Sequence, residues 1–176
     1  MTNYNDRVNF QELQTLLEYH YWARDRLLEA VAPLTSEQLT ADRGNSFSSI
    51  HATVVHLYGA DWIWHSRWEG VSPTALPAAS EFADLAAVRG AWLDMEARVR
   101  ALVNRLGEDG IQRPIEYRGP NGMLQAQPFW QMFQHLVNHG SYHRGQITTM
   151  LRQIGAPPPK SLDLIAFYRE QAAMKT

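Results

Sequence analysis

No cysteine occurs in the 176 residues of this chain. That absence excludes a disulfide scaffold, thiolate metal sites, iron–sulfur clusters and a cysteine nucleophile. Long apolar runs are missing too: no stretch approaches the roughly 18 consecutive residues of a membrane span. The polar opening, Met1–Phe10, lacks the charged-then-apolar pattern of a secretory signal. The expectation is a soluble, cytoplasmic protein with no membrane partner. Charge of one sign is not in excess either, with 16 Lys+Arg against 18 Asp+Glu and a net charge of −2. A nucleic-acid binder would normally carry a basic stripe, so nucleic acid is not expected as a partner. The chain contains no GxSxG, P-loop, GxGxxG or EF-hand pattern. Nucleophile-elbow hydrolysis, phosphate cradling and Rossmann cofactors therefore receive no support.

Hydrophobic residues make up 45% of the chain and charged residues 19%, enough apolar material for one real core. Phe10 to Ala32 carries Leu13, Leu16, Leu17, Tyr21, Leu27, Leu28 and Val31 at helical spacing and stops before Pro33. Thr35 with Gln38 fits a capping box for a brief helix. A second long helix is expected from Phe47 to Trp68, entered through Asn45 and Ser46 and closed by Gly70. A third is expected to be capped by Ser80, with Glu81 and Asp84 in its first turn, and to end near Gly107. Pro114 to Gln127 alternates around Gly119-Pro120-Asn121-Gly122 and reads as an extended hairpin or an ordered loop. Pro128 then opens a fourth long helix reaching Ile154, and Ser161 starts a short terminal one. The predicted fold is all-α: one four-helix bundle domain over residues 1–176, with antiparallel helices.

Six Trp and seven His are the unusual counts. Trp22, Trp62, Trp64, Trp68, Trp92 and Trp130 read as packing residues rather than a substrate wall. The densest chemical signal is the run of His135, His139 and His143 on the fourth helix. Residues four apart share a helix face, so His139 and His143 can point at one atom. Against the apolar set Phe129, Phe133, Leu136, Ile147, Leu151 and Ile154, His143 lies about 50° from the core direction, His139 about 90° and His135 about 130°. His135 is therefore expected at the surface or behind a ligand. A tightly held divalent ion needs a third ligand. His56 supplies a candidate, on a stripe with Ala52, Gly59, Ala60 and Ile63. His51 and His65 lack that setting and read as solvated or as caps for local groups. Three imidazoles without a thiolate suit Zn²⁺, Ni²⁺, Fe²⁺ or Cu²⁺, and three protein ligands leave a coordination position open. No Glu-x-x-His occurs, which argues against a carboxylate-bridged di-iron site. Spacing alone equally fits hydrogen-bonded core histidines. Asp61, Arg144 and Gln146 join His135 as candidates to orient a ligand or substrate, although structural roles fit them as well.

The segments Leu16–Leu28, Ser49–Trp62, His135–Ile147 and Ser161–Tyr168, in that order, resemble the DinB-like proteins. This bundle superfamily also includes thiol-dependent S-transferases and mycothiol-dependent maleylpyruvate isomerase. The most specific element is the HxxxHRGQ pattern formed by His139, His143, Arg144, Gly145 and Gln146. The resemblance covers nearly the whole chain and implies a four-helix bundle, a metal-binding triad at His56, His139 and His143, and a homodimer. It also implies one divalent ion, zinc or nickel first and iron next. The ion would activate a thiol or water toward a small electrophilic substrate, as in a transferase or hydrolase. A low-molecular-weight thiol is an expected cosubstrate. The alternative is a stress protein that binds metal or ligand without turnover.

Overall fold

The computed structural model describes residues 8–174, so most of the polar opening stretch lies outside the described residues. Its elements are α1 (Phe10–Val31), α2 (Ser36–Thr40), α3 (Ile50–Trp68), α4 (Leu85–Gly110), β1 (Pro114–Arg118), β2 (Leu124–Pro128), α5 (Phe129–Gln153) and α6 (Leu164–Ala173). A single 3₁₀ turn, Ala79–Glu81, precedes α4. Among the described residues, no helix is long and apolar enough to cross a membrane.

The four long helices form the bundle. Helix α1 packs chiefly against α4 and α5, and α3 packs against the same two, so consecutive α1 and α3 stand on a diagonal. The segment through α2 carries the chain across that diagonal. The core is built from Leu13, Leu17, Leu27 and Val31 of α1, Val54 of α3, Trp92 and Val99 of α4, and Phe129, Phe133 and Leu136 of α5. Strands β1 and β2 pair antiparallel with Tyr117 opposite Gln125, so the hairpin reading of this segment holds. Gly122 closes its turn with φ at 73°, a conformation open to glycine at little cost.

Four helix starts differ from the expected ones. Helix α3 begins at Ile50 rather than Phe47, because Asn45 to Ser48 form a tight turn. In it the Ser48 amide donates to the Asn45 carbonyl at 2.9 Å and Ser48 takes φ of 54°. Ser49 then caps the helix by accepting from the Ala52 amide. Helix α4 is capped by Asp84, whose Oδ1 accepts from the Ala87 amide at 2.9 Å, while Ser80 sits inside the 3₁₀ turn. Its expected end is real: Gly107 breaks the helical path at φ 59°, ψ −170°, and one last turn follows. Helix α6 begins after Asp163, to which the Ser161 hydroxyl donates at 3.0 Å. Pro128 caps α5 instead of forming its first turn, and Gly155 ends that helix at φ 70°.

Candidate metal centre

His56 comes from the middle of α3, and His139 and His143 from successive turns of α5, the helix α3 packs against. The Nε2 atoms converge: His56 to His139 at 3.1 Å and His143 to His139 at 3.0 Å. His143 is 5% exposed, and the other two are half-buried. His143 Nδ1 lies 2.7 Å from the Gln146 Oε1, an oxygen that can only accept. The Nδ1 therefore carries the proton, and the Nε2 presents a bare lone pair to the other two rings. Gln146 in turn donates through its Nε2 to the Ser46 hydroxyl at 3.1 Å. This ties α5 to the turn before α3. From that turn Phe47 stacks on the His56 ring, centroids 3.8 Å apart and planes 19° apart, and meets His143 edge-on.

Burial pushes the His56 imidazole down to about 4, with the neighbouring His143 and His139 adding to the effect. His139 is also held at about 4, by burial first and then by His143 and His135. Both are neutral donors at pH 7. A proton on the His139 Nε2 could serve only one of its two neighbours, so lone pairs face one another across the cluster. The donor set therefore fits a cation. With bonds of about 2.0–2.1 Å, two imidazole nitrogens on one ion stand about 2.9 Å apart at a right angle and about 3.4 Å apart at a tetrahedral one. The two observed spacings fall inside that range. Among the described residues, these three form the group whose ligand atoms could hold a metal ion, all within 4.8 Å of one another.

The other candidate residues separate. Gln146 bonds a triad imidazole. His135 is exposed beside the triad, its ring 5.8 Å from that of His139 and edge-on to Trp64 at 5.4 Å. Asp61 is completely buried and turns away, accepting from the Trp92 Nε1 at 2.8 Å and pairing with the His20 Nε2 at 3.0 Å. Arg144, a neighbour of His143 in sequence, is 3% exposed on another flank of α5, where it donates to the Ser141 hydroxyl and lies over Tyr19. His65 is half-buried near Glu69, whereas His51 is buried against Asp84 at the start of α4 rather than solvated. Trp68 and Trp92 are core residues and the other four tryptophans are half-buried.

Two residues are not legible in the sequence pattern. Phe47 reads as the first residue of a helix, and that reading conceals its role as a cover for His56. His20 shows a signal in retrospect: Leu13, Leu17, His20, Arg24, Leu27 and Val31 follow a three-four spacing, and all are at most 4% exposed.

The DinB family model matches residues 1–172. The chain belongs to the DinB family. It is 26% identical over 160 residues to Protein DinB of Bacillus subtilis (strain 168), an alignment covering 86% of this chain and 92% of that one. Its fold is similar to that of YfiT from Bacillus subtilis, at a TM-score of 0.68 and 15% identity, over 87% of this chain and 93% of the other. YfiT is described as a probable metal-dependent hydrolase with an unusual four-helix bundle topology. In this DinB-family chain, α1 and α3 are joined across a bundle diagonal.

Proposed function

We propose that His56, His139 and His143 hold one divalent ion and that the centre activates water or a thiol for attack on a small electrophilic substrate. The observation that carries this reading is the approach of the His56 and His143 Nε2 atoms to that of His139 at 3.1 and 3.0 Å, with no fourth protein donor in the cluster among the described residues. YfiT's description as a probable metal-dependent hydrolase favours water as the nucleophile. When bound, the ion supplies Lewis acidity and makes water or a thiol acidic enough to react near neutral pH.

The chain's own residues arrange the rest. Gln146 keeps the Nδ1 proton of His143 pointing away from the cluster, which aims the Nε2 inward. Phe47 covers one face of His56 and keeps water off it. His135 stands at the rim, its imidazole held below its ordinary value by burial and then by Arg67, so it is a neutral proton acceptor at pH 7. Tyr142, 64% exposed and edge-on to His143 at 4.9 Å, offers an apolar face to a substrate.

The test begins with elemental analysis of tag-free protein prepared without chelator, beside a His139→Ala, His143→Ala variant. About one zinc or nickel per chain in the parent and none in the variant is the expected result for a three-imidazole site. Metal-free parent protein, even after loading with excess ion and gel filtration, would sink the proposal. Loaded protein would then be screened for ester or amide hydrolysis and for thiol transfer. A loaded protein that turns over neither class is a metal-binding protein and not an enzyme of this kind.

A further inference from the structure

On the flank of α5 turned away from the triad, a cavity of about 470 Å³ lies between α5, Tyr19 of α1 and the segment leading into α6. At 100° per residue, Ser141, Arg144, Thr148 and Arg152 stand about 140–220° around the helix from His139. All four line the cavity, as do Lys160 and the start of α6 at Leu164. We propose that this cavity is a second ligand site, which takes a small organic anion through a phosphate or carboxylate group.

The first support is Arg144. Its guanidinium is 3% exposed, its Nε is buried with no hydrogen-bond partner, and its NH2 nitrogen donates only to the Ser141 hydroxyl. Among the described residues, no carboxylate forms an ion pair with Arg144, Arg152 or Lys160, whereas Arg24, the other arginine buried to the same degree, is paired with Asp25 and Glu96. A buried cation with no carboxylate in direct contact is costly, and an anion entering the cavity would supply that contact.

The second support is helical. The amides of Leu164 and Ile165 open α6 without hydrogen-bond partners, since Asp163 makes no capping bond. Free amides at the start of a 10-residue helix add a further anion-binding element beside the arginine. Asp163 opposes this with its own charge, which accepts from the Ser161 hydroxyl. Three cations against that one carboxylate leave the lining net positive.

The wall is also built to stay in place. Tyr19 donates to the Leu162 carbonyl at 2.9 Å and Arg26 to the Ser161 carbonyl at 2.9 Å. Pro157, Pro158 and Pro159 stiffen the approach. A cavity of this size admits a small metabolite rather than a macromolecule.

The test is an NMR titration of the isotope-labelled full chain with inorganic phosphate and, separately, with succinate at constant ionic strength. Saturable shifts at the Leu164 and Ile165 amides are expected for at least one of the two, and which one responds identifies the head group. An Arg152→Ala, Lys160→Ala variant removes two exposed, unpaired charges and should keep the fold. Its affinity should fall by about tenfold or more, the loss expected for one or more charge-assisted bonds. The His139→Ala, His143→Ala variant should respond like the parent. Shifts that grow without saturating, equal affinity in the Arg152/Lys160 variant, or loss of the response in the His139/His143 variant would each overturn the proposal. The last outcome would place the anion at the triad and leave the metal reading intact.

Discussion

Gln146 shows how one side chain orders a site it does not belong to. Its amide oxygen holds the His143 Nδ1 proton and its nitrogen reaches Ser46, so both ends are anchored. Gln146→Leu keeps most of the volume and removes both bonds. Metal affinity should fall by about 10–100-fold, as is typical when the partner of a ligating imidazole is lost. Competition with a chromophoric chelator measures it, and an unchanged affinity would show that the packing of Phe47 alone orients His143. Asp61 acts differently, because it lies at the bundle centre. It satisfies the His20 Nε2 and the Trp92 Nε1 at once, so one carboxylate on α3 joins α1 and α4. Asp61→Ala would leave two buried donors orphaned and should cost about 3–5 kcal/mol. Urea unfolding of metal-free protein reads the loss without interference from the triad.

Among the elements, the helix ends carry most of the difference between what the chain announces and what it builds. Gly107 was legible as a stop, and its φ of 59° with ψ of −170° belongs to a region almost reserved for glycine. Nothing lies within 4 Å of where a Cβ would stand, so Gly107→Ala tests backbone strain alone. It should destabilise the chain by about 1–3 kcal/mol by chemical denaturation, and a neutral result would mean the last turn of α4 simply rearranges. The periods of α1 and α5 were equally readable, because each buries one clean stripe, and the i, i+4 pair His139 and His143 followed from that stripe. The start of α3 was not readable. Two plausible caps, Asn45 and Ser46, precede Ser49, and only the left-handed Ser48 decides between them. That three-residue error hid Phe47, the ring that closes the site. Arg144 was hidden for another reason: an arginine late in a helix usually faces water, and its burial depends on Tyr19 from a distant helix.

At the scale of the whole molecule, the diagonal placement of α1 and α3 brings α3 beside α5, and that pairing assembles the triad from residues 83 apart. Assembly has a consequence for stability against pH. In the folded chain His56 and His139 titrate at about 4, while in the unfolded chain they return to the ordinary histidine value of about 6.5. Between those values the unfolded state binds protons that the folded state refuses. Stability of the metal-free protein should therefore be level with respect to these two groups above about pH 6.5. It should decline as the pH falls toward 4, and no further loss from them should follow below that. Thermal unfolding of metal-free protein across this range, beside a His56→Gln, His139→Gln variant, isolates their share. The parent should lose stability more steeply than the variant on acidification, because glutamine has no proton to gain. A bound ion adds stabilisation through its affinity for the folded state alone, so loading with zinc should raise the parent's unfolding temperature at pH 7 and leave the variant unmoved. Parallel acid profiles for the two proteins would mean that the imidazoles are as well solvated folded as unfolded, and that the partial burial of the triad does not hold His56 and His139 neutral.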